Sequence, residues 1–118
     1  MNYNRPYNRL DRINNQIRSI ISKTIIKNSL FYEFCLLTIS RVDVSPDLKK
    51  AKIYFSVYNS TKKISDINIL INKKRKFFRK ILGSKMRTKN TPDLFFFYDD
   101  SLEYEQKLFK ELNKLKNK

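Results

Sequence analysis

The chain has 118 residues, and its 41% apolar share with 7 Tyr and 9 Phe supports one modest core rather than two. Its 26 Lys and Arg against 11 Asp and Glu leave a net charge of +15, which draws polyanions: nucleic acid first, an anionic membrane second. A single Gly excludes GxxG, GxGxxG and Walker A phosphate loops; no His and one Cys exclude zinc fingers, Ser–His or Cys–His catalysis and an internal disulfide.

The N-terminal run Met1-Asn2-Tyr3-Asn4-Arg5-Pro6 has neither an apolar h-region nor a cleavage site. No apolar run approaches the roughly 18 residues of a membrane span, so a cytoplasmic chain is expected. From about Arg9 to Asn28, Leu10, Ile13, Ile17, Ile20, Ile21 and Thr24 recur at spacings of three and four, which predicts an amphipathic helix. Arg5, Arg9, Arg12, Gln16, Lys23 and Lys27 form a second stripe about a quarter-turn away. That stripe is either a solvated face or a domain edge within reach of backbone phosphates.

A strand follows at roughly Phe34 to Val44. It contains Cys35, expected as an inert core thiol, and its apolar parity changes between Ile39 and Val42, as a bulge near Ser40-Arg41 would cause. After the turn Ser45-Pro46-Asp47, Ala51, Ile53, Phe55 and Val57 alternate with Lys52, Tyr54, Ser56 and Tyr58. This predicts a second strand, about Lys49 to Tyr58, in an antiparallel hairpin. Helical periodicity resumes from about Ile64 to Leu82, with Ser65 as N-cap, Gly83 as C-cap and a break near Asn72–Lys76, where Lys74 interrupts the apolar stripe. Gly83 to Thr91 reads as a loop. Leu94 to Tyr98 is a short strand, Asp100-x-x-Glu103 resembles a capping box, and a last helix carries Leu102, Leu108, Phe109, Leu112 and Leu115. The order α-β-β-α(α)-β-α places helices on one face of a small mixed sheet, an α+β fold.

Charge is unevenly spread. Lys73 to Lys89, KKRKFFRKILGSKMRTK, has nine basic residues in seventeen and no acid, whereas residues 93–111 hold six of the eleven acids. Such a block repels itself by a few tenths of a kcal/mol per like-charged i,i+4 pair and gains when a polyanion replaces its counterions. Lys73–Lys76 read alternatively as the wet face of a helix. Arg79, beside Phe78, is either a structural arginine or an RNA contact. Tyr54, Tyr58, Phe95 and Phe97 either stack on bases or fill the core.

Three blocks carry a family resemblance. Val42-Asp43-Val44-Ser45-Pro46-Asp47-Leu48-Lys49-Lys50-Ala51-Lys52-Ile53-Tyr54-Phe55-Ser56-Val57 resembles the hairpin signature of ribosome-binding factor A. Phe78-Arg79 followed by Met86-Arg87, and Pro92-Asp93-Leu94-Phe95-Phe96-Phe97-Tyr98-Asp99-Asp100-Ser101-Leu102, agree in order and spacing. The resemblance covers about residues 5 to 105. It implies one type II KH-like domain, α-β-β-α-kink-α-β, with its core at about 5–100 and a C-terminal helix at about 101–116. It also implies a monomeric, non-catalytic assembly factor that uses no cofactor and binds the free 30S subunit. Such a factor assists late 16S rRNA maturation, including 5′-end processing, and matters most in the cold. The family's Ala-x-Gly kink is replaced by Lys74-Arg75-Lys76, and Lys89 stands where many relatives have Arg, losing the bidentate fork.

The residues expected to meet rRNA phosphates are Arg5, Arg9, Arg12, Lys73, Lys74, Arg75, Lys76, Lys80, Lys85, Arg87 and Lys89. No membrane, metal or small-molecule partner is expected. The alternatives are a permanent small-subunit ribosomal protein or other structured-RNA-binding module, a Mg²⁺ nuclease using Asp93, Asp99 and Asp100, and a membrane-surface role for the first helix.

Overall fold

The computed structural model describes residues 8–86 and 90–116. Helix α1, Arg9–Lys27, buries Ile13, Ile17, Ile21, Thr24 and Ile25, the face its periodicity predicts. It opens on a reciprocal cap, in which the Asn8 side chain accepts from Asp11 N at 2.9 Å and the Asp11 carboxylate accepts from Asn8 N at 3.3 Å. Strands β1, Leu36–Val44, and β2, Lys50–Tyr58, pair antiparallel, and the register shifts between Ile39 and Arg41. The parity change is thus a bulge at Ser40, which keeps Val42 and Val44 inward. Helices α2, Ile64–Lys73, and α3, Arg75–Lys85, lead to β3, Asp93–Tyr98, which pairs parallel to β2. Helix α4, Ser101–Lys116, follows. The sheet order is β1-β2-β3, so β3 lies at an edge. The fold is α+β, with α1 packed on β1 and α2 and α3 packed on β3.

Ala51, Ile53 and Phe55 of β2 and Leu94 and Phe96 of β3 face the helices and are buried with Phe78, Leu82, Ile67 and Ile71. Burying each large apolar side chain contributes about 1.5–3 kcal/mol. Cys35 is buried and free, and burial pushes its thiol pKa up, consistent with an inert core thiol. The alternate residues, Tyr54 and Tyr58 of β2 and Phe95 and Phe97 of β3, lie on the opposite, open face, so they are not core.

Several local expectations are corrected. The first strand begins at Leu36 rather than Phe34. Lys63, not Ser65, is the N-cap of α2, in extended conformation and without a side-chain cap bond. Gly83 does not end its helix, because α3 continues to Lys85 and caps at Met86, which is buried. At α4, Glu103 accepts from the Tyr98 hydroxyl at 2.7 Å, while Asp99 accepts from Ser101 N at 3.0 Å and Ser101 Oγ at 2.6 Å. The turn is thus organised by Asp99 rather than by an Asp100–Glu103 box. Tyr104, Leu108, Phe109, Leu112 and Leu115 remain 46–68% exposed, so α4 contributes little to the core.

Candidate nucleic-acid interface

The basic window begins where α2 ends. Lys74 serves as C-cap of α2 and N-cap of α3 at φ −95° and ψ 11°, its N–H bonded to Asn72 O and Ile71 O. The predicted break therefore falls at the residue where the apolar stripe fails. Asn72 holds it in place. Its Nδ2 donates to Phe96 O at 3.1 Å, and its Oδ1 accepts from Phe96 N at 3.1 Å. One amide side chain thereby satisfies both backbone groups that Phe96 presents at the free sheet edge. The sequence held a faint signal of this: a polar residue beside an apolar helix face, but no hint of its partner.

From that anchor α3 is oriented by burial. Phe78 is fully buried with its ring centroid 5.3 Å from that of Phe96, and Leu82 follows one turn later. With those two inward, Arg75, Lys76, Arg79 and Lys80 project outward, and Lys73, Lys74 and Lys85 are also exposed. The first turn of α3 contains no acid. Its partial positive end therefore adds to Arg75 and Lys76 instead of offsetting them.

Arg79 connects α3 to the segment before β3. Its Nε and Nη2 donate to Thr91 O at 3.4 and 3.1 Å, and its Nε lies 3.3 Å from the Asp93 carboxylate. Gly83 permits the same approach, since a Cβ there would come within 2.9 Å of Thr91 Oγ1. The hairpin turn supplies a further wall. Leu48 takes φ 61°, a left-handed conformation that costs a non-glycine residue about 1–2 kcal/mol. The turn is stabilised by Ser45 Oγ donating to Asp47 at 2.6 Å and Lys49 N donating to it at 3.1 Å, bonds that hold the Asp47 carboxyl below its usual pKa.

These elements enclose a concavity of about 770 Å³ lined by Leu48, Lys49, Lys76, Arg79, Lys80, Gly83, Asn90, Thr91 and Asp93. It holds four cations and one carboxylate, which Arg79 already engages. A second cleft of about 230 Å³, between α1 and α3, brings Lys23 and Lys27 to Lys85. Lys49, Lys23 and Lys27 were not among the expected contacts: Lys49 is recruited by the hairpin turn, and the α1 lysines by helix packing. Arg9 and Arg12 are exposed at the other end of α1, with Arg12 about 17 Å along the axis from Lys23, and neither lines either cavity. Arg5, Arg87 and Lys89 lie outside the described residues.

The acidic alternative fares differently. Asp93 and Asp99 bracket β3, about 20 Å apart along the strand. Asp93 pairs with Arg79, and bonds from Ser101 and Ser40 hold the Asp99 carboxyl below its usual pKa. Among the described residues, no group of three His, Cys, Asp or Glu is placed to hold a metal ion, and no helix is long and apolar enough to cross a membrane.

The profile of the family Ribosome-binding factor A matches residues 9–112. A ribosome-binding factor A of Alteromonas mediterranea is 36% identical over 102 residues, 83% of this chain and 76% of that one. A Thermotoga maritima protein assigned to ribosome binding factor A, solved by NMR, superposes with a TM-score of 0.70 at 22% identity, covering 83% of this chain and 93% of that one. The Thermus thermophilus factor, as a homology model fitted into a cryo-electron-microscopy map of its 30S complex, superposes at 0.61 with 16% identity, covering 74% and 91%. A family match that spans most of the chain, on a fold those structures share, makes this protein a member of the ribosome-binding factor A family.

Proposed function

We propose that this protein binds the free 30S subunit through the cationic surface built on α3, as a KH-like RNA-binding module. In doing so it assists late 16S rRNA maturation, including 5′-end processing, without catalysis. The observation that carries this reading is the concavity in which Lys49, Lys76, Arg79 and Lys80 meet with one already-paired acid. Its charges are costly to hold together in the free protein and are relieved by phosphates. The Thermus thermophilus relative in its 30S complex supports the choice of partner. Folded rRNA would be met by shape and charge, with little base reading.

Lys73, Lys74, Arg75, Lys76, Lys80 and Lys85 are the central contacts of this proposal, joined by Lys49, Lys23 and Lys27. Arg5, Arg9 and Arg12 would extend the surface along α1, and Arg87 and Lys89 would extend it at the loop. The separation of Asp93 from Asp99, and the bonds each makes, support a non-catalytic role. The protein would act as a cytoplasmic monomer, with its largest effect in the cold.

Sucrose-gradient co-sedimentation tests this. Binding to free 30S subunits should weaken with salt at a log–log slope of about −0.7 to −0.9 per phosphate contacted. Reversing Lys76, Lys80 and Lys85 to Glu should abolish co-sedimentation while the fold, read by circular dichroism, stays intact. Retained binding by that variant would misplace the surface. Equal occupancy of free 30S and translating 70S particles would instead indicate a permanent ribosomal protein.

A further inference from the structure

The face of the sheet turned away from α1, α2 and α3 has no part in that reading, yet its composition is specific. Across neighbouring strands Arg41, Tyr54 and Phe97 form one row, and Asp43, Lys52 and Phe95 form the next. The Arg41 guanidinium sits 4.1 Å from the Tyr54 ring centroid, and the Tyr54 and Phe97 centroids are 5.8 Å apart at an interplanar angle of 32°. Tyr54 is thereby braced on one side, while Phe97 remains 42% exposed. Phe95 lies two residues before it on the same face, about 7 Å away, with the Arg75 guanidinium 5.3 Å from its ring centroid.

Charge distinguishes this face from an apolar protein-docking surface. Its three carboxylates are committed: Asp43 to Arg41 at 3.2 Å, Asp93 to Arg79 at 3.3 Å, and Asp99 to Ser40 and Ser101. Lys50, Lys52 and Arg75 have no carboxylate partner within ion-pair distance among the described residues. The face is also continuous with the α3 surface. A groove of about 270 Å³ between α3 and the edge of β3 is lined by Arg75, Lys76, Arg79 and Phe95. It shares Lys76, Arg79 and the Arg79-paired Asp93 with the larger concavity and opens onto Phe95.

We propose that this open face is a second RNA-binding site, specific for unpaired nucleotides, whose bases stack on Phe97 and Phe95 while Lys50, Lys52 and Arg75 meet their phosphates. Exposed aromatic residues on a sheet surface stack unpaired bases with little regard to sequence, and flanking cations hold the backbone. A strand leaving the α3 concavity would pass over the β3 edge onto this platform. The inference rests on the RNA-binding reading above and adds to it a distinct ligand form, single-stranded rather than folded.

The test is fluorescence anisotropy with a labelled, unstructured uridine octamer and the full chain, alongside 30S co-sedimentation. Octamer binding should depend on Phe97, whereas binding of an RNA duplex of the same length, which the α3 surface can take, should not. Phe97→Ala should weaken octamer binding about tenfold, and Phe97→Tyr should restore it. Lys50→Glu with Lys52→Glu should also weaken it and flatten its salt dependence. Unchanged octamer affinity in Phe97→Ala would overturn the proposal, as would duplex binding that depends equally on Phe97. So would NMR contacts from Leu108 or Leu112 to Phe97 in the free chain that persist with octamer present, because α4 would then be the occupant. Each of these outcomes leaves 30S binding to be judged by the gradient alone, where failure of the wild-type chain to co-sediment would remove the underlying reading as well.

Discussion

Adjacent residues on β2 and β3 meet opposite environments. Ile53, Phe55 and Phe96 point toward the helices and are at most 2% exposed, whereas Phe97, next in the chain to Phe96, is 42% exposed and touches Tyr54. The covered face therefore serves stability and places α3. The open face retains aromatic and cationic side chains whose removal costs the fold little. A small domain with few spare apolar residues can keep aromatic side chains exposed when a ligand, rather than the core, uses them.

The comparison is tested most severely by truncating one aromatic on each face. Phe78→Ala should cost about 3–5 kcal/mol in urea denaturation, because it leaves a cavity against Phe96. Phe97→Ala should cost about 1 kcal/mol, the worth of its tilted pair with Tyr54. Similar losses for the two would show that the open face is part of the core. Asn72→Ala comes next at about 1–3 kcal/mol, since Phe96 N–H and C=O lose their side-chain partner at the sheet edge. Asn72→Asp keeps an acceptor for Phe96 N–H but sets a carboxylate oxygen against Phe96 C=O at the C-terminal end of α2, so it should cost at least as much as Ala.

Arg79→Ala should be milder, about 1 kcal/mol, because the pair with Asp93 is half exposed and screened. Its signature is faster amide exchange at Asn90 and Thr91. Arg79→Lys preserves the charge but not the fork, so it separates tethering from phosphate contact.

The smallest effects are in pH. The Asp99 carboxyl is held below its usual range by Ser101 and Ser40, so its stabilisation is present above the ordinary carboxylate pKa and fades as pH falls through the depressed value. Asp99→Asn should remove that part of the acid limb in thermal melts. At the other end, burial, reinforced by Glu103, pushes Tyr98 up from 10.0 to about 12. Stability tied to its neutral form is complete below pH 10.0 and is lost as pH rises toward 12. Tyr98→Phe should flatten that alkaline decline.

Much of this architecture was legible in the residue pattern because it is locally encoded. Periods of 3.6 and 2 revealed α1, the hairpin and its bulge at Ser40, and Lys74 at an apolar position marked the α2–α3 break. The basic character of α3 was equally plain, since a run of cations without acids needs no tertiary context to be noticed. What periodicity cannot reveal is the partner. Leu94 to Tyr98 are all apolar or aromatic, so no alternation told Phe96 from Phe95 and Phe97; only the neighbouring layers separate them.

Gly83 looked like a helix end because glycine usually supplies the left-handed residue there, yet its missing Cβ serves a close approach by Thr91, eight residues away. The roles of Asn72 and Arg79 depend on backbone atoms 24 and 12 residues distant. Local geometry thus determined the elements, their buried faces and the sign of the charge. The meeting of chain-distant residues decided which cations share a cavity, which aromatics stay exposed, and that α4 lies outside the core.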